Sequence, residues 1–186
     1  MTGAPPPTPD AVEGWLAELG LGPPPRVERE AVAAWDLRLD GRRRFDVPVT
    51  VILDPATAAI VWAHLAPPIG DAFRASYRKL LRWNDEFPFV KFGLTTDERP
   101  VLTAEIPVER LDRDELGLAV ARVLALCDLL LEETAAWAWI GGRIPDWTGR
   151  TSRHAGLIAR YAELLGELAA PLGELAAPLG ELAAPR

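Results

Sequence analysis

The sequence predicts an α+β domain over residues 9–140, laid out as helix, three-stranded meander, helix, β-hairpin and long helix around one five-stranded antiparallel sheet. Three observations predict it. Runs of alternating or β-branched residues are interrupted at Asp40-Gly41 and Asp54-Pro55, as half-buried strands joined by tight turns require. A long apolar segment from Asp112 to about Trp137 keeps helical spacing on more than one face. Proline- and glycine-rich stretches bracket the whole, a leader over residues 1–8 and a break at Gly141-Gly142 with Pro145.

Taken in order, Thr8 can cap a helix whose first residue is Pro9, where a missing N–H costs nothing. Val12, Trp15, Leu16 and Leu19 share one face of that helix, and Gly20-Leu-Gly-Pro-Pro-Pro25 ends it in a semi-rigid linker. Val32–Leu39 places Trp35, Leu37 and Leu39 on one side and Asp36 and Arg38 on the other. Phe45–Leu53 and Thr57–Leu65 complete the meander. Pro48 cannot donate to a ladder, so its strand needs an edge or a bulge at that point. Ala66-Pro-Pro-Ile-Gly70 punctuates, and a helix from Asp71 aligns Phe73, Tyr77, Leu80, Leu81 and Asn84, with Asn84 as its left-handed cap. Phe87–Thr95 and Val101–Pro107 read as a hairpin about the turn Thr96-Asp-Glu-Arg99.

The long helix begins with a capping box, Asp112 and Glu115, and a hydrophobic staple, Leu111 and Leu116. Leu116, Val120, Val123, Cys127 and Leu130 form its main stripe, and Ala119, Leu126 and Leu129 widen it. So wide an apolar surface needs cover from the sheet and from the first helix, the chain's own C-terminal segment or a second copy. Residues 141–165 read as a linker and an amphipathic helix carrying Leu157, Ile158, Tyr161, Leu164 and Leu165. Residues 166–186 are a tail in which Gly166-Glu-Leu-Ala-Ala-Pro-Leu172 recurs at 173–179 and, ending in Arg186, at 180–186. Proline and glycine at every seventh position defeat a coiled coil, because they cost about 3 and about 1 kcal/mol in a helix interior.

Chemistry is sparse. A net charge of −7 and a pI near 4.9 argue against nucleic acid, whose affinity comes from phosphate neutralisation by clustered cations. Arg42-Arg43-Arg44 and the cations Arg78, Lys79 and Arg82 read as solvated faces. Cys127 lies among leucines and reads as a small buried hydrophobe. His64 and His154 are isolated, no Cys-x-x-Cys or His-x-x-x-His pair holds a metal, and no glycine loop cradles phosphate. Ser76 and Ser152 lack a nucleophile elbow, and a carboxylate pair drawn from Asp85, Glu86, Glu105 and Glu109 would make an acid–base couple only if burial separated their pKa values. The expectation is a protein that is not an enzyme and uses no cofactor. No apolar run reaches the ~18 residues of a membrane span and no signal peptide opens the chain, which points to the cytoplasm and away from membranes.

The aromatic residues are the candidates for recognition. A partner or dimer surface is expected from Phe45 and Val47 on the meander, from Trp83, Phe87, Phe89 and Phe92 around the hairpin, and from Leu116, Val120, Val123, Trp137 and Trp139 on the long helix. The alternative is a small-molecule sensor with Trp83, Trp137 and Trp139 lining an apolar cavity.

Leu81-Arg-Trp-Asn-Asp-Glu-Phe-Pro-Phe-Val-Lys-Phe92, Leu102-Thr-Ala-Glu-Ile-Pro-Val108 and Leu126-Cys-Asp-Leu-Leu-Leu-Glu132, in this order of elements, resemble the YbjN-domain family of bacterial proteins. The resemblance covers roughly residues 9–140 and implies a type III secretion chaperone-like fold. It also implies a non-enzymatic, often dimeric module that acts as a regulator or holds a protein or peptide partner along a sheet edge or in an apolar groove. It brings no active site.

Overall fold

The computed structural model describes residues 6–22, 24–65, 74–87, 89–134 and 146–165. The elements are α1 (Pro9–Glu18), β1 (Arg26–Arg29), β2 (Val32–Leu39), β3 (Val47–Asp54), β4 (Ala58–His64), α2 (Arg74–Glu86), β5 (Lys91–Leu94), β6 (Pro100–Pro107), α3 (Arg113–Thr134) and α4 (Ala155–Arg160). The strands form one antiparallel sheet in the order β1-β2-β3-β4-β6-β5.

The α+β class and the element order are as the sequence predicts, but the sheet has six strands where five are expected. The extra strand is β1, in the stretch between the Gly20–Pro25 linker and β2 that the sequence leaves unassigned. All four of its residues are exposed, so no burial alternation marks it, and it forms by hairpin pairing with β2 through a tight turn in which Glu30 takes φ 57°. The second departure lies before β5. Phe87 directly follows α2, its N–H donating to the Trp83 carbonyl at 2.8 Å, and strand pairing starts only at Lys91. Asn84 is an interior residue of α2 and not its left-handed cap.

At the starts of α1 and α3 the expected side-chain caps form. The Thr8 hydroxyl accepts from the Ala11 N–H at 3.3 Å, and the Asp112 carboxylate accepts from the Glu115 N–H at 2.8 Å. Pro48 pairs with Arg38 of β2, while the β3–β4 ladder begins one residue later at Val49↔Ala63, so the proline sits where β3 has a neighbour on one side only.

Register brings Trp35, Val51, Val61 and Ala104 into one row across four strands, with Leu37, Val49, Ala63 and Leu102 as the next. These rows are buried and face α3, which packs on β4 and β6. Each fully buried Leu, Val or Phe contributes about 1.5–3 kcal/mol, so this row structure is the main source of stability. The further faces of α3 are covered by α1 and α4, through Val12, Leu16 and Leu19 on one and Leu157, Ile158 and Tyr161 on the other. Burial pushes the Cys127 thiol up to about 11, which keeps it protonated and unreactive at neutral pH.

Candidate partner-binding surfaces

The residues expected at a partner surface separate into three groups. Leu116, Val120 and Val123 are fully buried beneath the sheet, and Val47 lies on the same core side of β3. Trp83, Phe87 and Phe92 form an aromatic cluster between α2 and β5, with ring centroids 6.2 Å (Trp83–Phe87) and 5.7 Å (Trp83–Phe92) apart, so Trp83 packs against its own neighbours. As placed, these seven side chains serve the chain's own core and offer no outward surface. Phe89 alone is open, at 51% exposure, with the Arg122 guanidinium 3.9 Å above its ring. Phe45 is buried by the C-terminal segment, and Trp137 and Trp139 lie outside the described residues.

That C-terminal segment, residues 146–165, is a strap fastened at both ends. Its first part docks on the β2–β3 connection. Trp147 packs on Phe45 at 5.5 Å, and the Arg150 guanidinium lies 4.8 Å from the same ring. Asp40, fully buried at the end of β2, is the anchor. Its carboxylate accepts a fork from Arg153, Nε at 2.7 Å and a terminal nitrogen at 2.8 Å, together with the backbone N–H groups of Asp46 at 3.0 Å and Arg153 at 3.2 Å. Its own N–H donates to His154 Nδ1 at 2.9 Å, and its carbonyl accepts from the Ser152 hydroxyl at 3.2 Å. Arg150 forks the neighbouring Asp46 at 2.6 and 2.9 Å. The Arg153 guanidinium holds the Asp40 carboxyl far below the usual carboxylate range, and Arg150 lowers Asp46 in the same way. At the far end of the strap, the Tyr161 hydroxyl donates to Asp114 at 3.3 Å over Gly117, where any Cβ would collide with the phenol.

A second carboxylate ties the same connection to α3. Asp128 accepts three successive backbone N–H groups, from Arg42 at 2.7 Å, Arg43 at 2.9 Å and Arg44 at 2.8 Å. A Cβ on Gly41 would strike that carboxylate, which is why glycine stands there. Of the basic run expected to be solvated, Arg42 and Arg43 are exposed, but Arg44 is buried and donates to the Leu65 carbonyl.

His154, which the sequence leaves as an isolated residue, is thus part of the latch. Burial lowers its pKa below the ordinary 6.5. Its neutral form is the one that accepts from Asp40, so its contribution to strap docking is complete above pH 6.5 and declines as pH falls below it. We predict faster amide exchange across Ala155–Arg160 at pH 5 than at pH 7.5 after correction for intrinsic rates, and no such difference in a His154→Gln variant.

The two sheet edges differ. β1 is short and charged, with Arg26 paired to Asp10 and Glu13 of α1, which discourages strand addition. At the other edge, the Asn84 side-chain amide takes the place of a strand. Its oxygen accepts from the Phe92 N–H at 2.7 Å and its nitrogen donates to the Phe92 carbonyl at 3.1 Å. Asn84→Ala should cost about 1–2 kcal/mol in urea unfolding and expose the Phe92 amide to exchange.

Beyond Lys91↔Thr103 the β5–β6 ladder stops, while β6 continues to pair with β4 as far as Pro107. Because Phe92 directs its polar groups outward to Asn84, the alternation of an antiparallel pair turns the N–H and C=O of Glu105 toward the missing partner. Pro107, two residues on, lacks the N–H that would face the same way. Among the described residues no strand occupies this position. A groove of about 340 Å³ lies there, with Phe89 and Lys91 at one end, Ala104–Pro107 along one wall and Leu118, Ala119 and Arg122 of α3 along the other. It has an apolar floor and both signs of charge on its rim, including Arg110 3.4 Å from Glu115. Hydrogen bonding along the edge and apolar contact with the floor suit an extended peptide.

Among the described residues, no His, Cys, Asp and Glu grouping could hold a metal ion, and no helix is long and apolar enough to cross a membrane. No curated protein sequence matches the chain. Among solved structures, one similar in shape is "Crystal Structure of the ExsC-ExsE Complex", 17% identical, aligned over 66% of this chain and 90% of that one with a TM-score of 0.49. The sequence profile of the YbjN family, described as "Putative bacterial sensory transduction regulator", matches residues 8–135, from the cap of α1 through the end of α3, and on that match the chain belongs to the YbjN family.

Proposed function

We propose that the chain is a bacterial regulatory module that works by binding a protein partner, and that it takes an extended segment of that partner along the unpaired edge of β6. The observation that carries this reading is the early end of the β5–β6 ladder beside a groove walled by α3. A partner strand would gain the Glu105 N–H and C=O and bury apolar side chains against Leu118 and Ala119. The module does so in the cytoplasm without catalysing a reaction or holding a cofactor. The test is selection of binding peptides from a displayed library by the full chain, followed by titration against Glu105→Pro. That change removes the one N–H aimed at the groove and leaves the β4 ladder, which uses the alternate residues, in place. Loss of affinity by tenfold or more is expected; undiminished binding would place the peptides elsewhere.

We infer as well that the module self-associates as a homodimer. The support is that part of the cover of α3 is a separate strap from beyond the family-matched region, a cover that a second copy also carries. Light scattering of the full chain tests this, with twice the mass of one chain as the expected result.

A further inference from the structure

We propose that the surface beneath the strap is a segment-binding site that also accepts the strap of a second copy, so that two chains pair by exchanging residues 146–165. The proposal rests on the self-association inferred above and names the surface that produces it.

The site is built for one kind of occupant. Asp40, fully buried, presents both carboxylate oxygens to the fork of Arg153. Phe45 receives an aromatic ring and a guanidinium, and Gly117 leaves room for the Tyr161 phenol that any side chain would displace. The segment recognised is therefore an aromatic residue, two arginines three apart and a short apolar turn. The sequence that meets this description is the strap, and a second copy supplies it without change.

The strap also brings little structure of its own. α4 is six residues long, far below the length at which a helix holds in water, so its order comes from the surface that receives it. The same contacts form whether the surface belongs to its own chain or to a second one. The chain between α3 and the strap, residues 135–145, is long enough to span roughly 35 Å when extended. Exchange of a terminal segment across a connection of that length is a low-cost route to a dimer.

Complementation tests the proposal. One full-length variant, Asp40→Ala, lacks the anchor and keeps an intact strap; another, carrying Arg150→Glu and Arg153→Glu, has an intact site and a strap that cannot latch. Each alone should have the mass of a single chain by light scattering. Mixed in equal amounts, they should double in mass and regain exchange protection over Ala155–Arg160 in the Asp40→Ala chain alone. If Asp40→Ala lacks native circular dichroism, Asp40→Asn replaces it. A mixture that stays at single-chain mass overturns the exchange. So does a doubled mass in either variant by itself, which would make bare α3 the pairing surface. A dimeric natural chain with no complementation refutes the exchange and leaves self-association standing, whereas a monomeric chain with no complementation refutes both.

Discussion

Asp40→Ala should lower the free energy of unfolding by about 3 kcal/mol and release the strap. The carboxylate is fully buried, and its removal strands the Asp46 N–H, the Arg153 N–H and one face of the Arg153 guanidinium at the same time. Breaking a buried charged pair usually costs about 3–5 kcal/mol. The lower end applies because the Arg153 side chain is 52% exposed and can return to water. Urea unfolding gives the energy, and amide exchange over Ala155–Arg160 locates it. A variant as stable as the natural chain, with those amides still protected, would mean that the apolar contacts of Leu157, Ile158 and Tyr161 suffice to hold the strap.

Asp128→Ala should cost about 2 kcal/mol. One carboxylate on α3 satisfies three consecutive N–H groups of the β2–β3 connection. Bonds to a charged acceptor contribute about 1.5–3 kcal/mol each when buried, but Arg42 and Arg43 are exposed, so water recovers much of their share. Asp128→Asn keeps an acceptor oxygen and should cost about half as much. Because the same connection carries Asp40, both changes should also loosen the strap. Equal stabilities for Asp128→Ala and the natural chain would show that the loop is held by Arg44 and Phe45 alone.

Local signals in the sequence were sufficient where the fold depends on local physics. The alternation of Val32–Leu39 is β2 to the residue, and Asp112 with Glu115 marks the start of α3 because a capping box is complete within four positions. They failed where the determining partner is distant in the chain. Asp40 reads as a turn residue, yet its anchoring role depends on Arg153, 113 positions away. Asn84 reads as a helix end, whereas it bonds the edge of a strand eight residues on that only the folded chain brings alongside. Phe87 and Phe89 lie in a short apolar run that suits a helix end as well as a strand, and periodicity alone does not choose between them. β1 carries no burial pattern at all. Leu116, Val120 and Val123 are conspicuous as candidates for a partner surface because they are apolar, and the chain buries that apolarity within itself. The groove is invisible in the sequence because its defining feature is a backbone edge left unpaired.

Whether the unpaired edge of β6 receives the partner is decided by amide hydrogen exchange at Glu105 in the full chain, with and without a saturating display-selected peptide. The peptide should slow exchange at Glu105 by tenfold or more and leave Val27, on the opposite edge of the sheet, unchanged. A bound peptide that leaves the Glu105 amide as fast as before, or that protects β1 instead, would contradict partner binding at that edge.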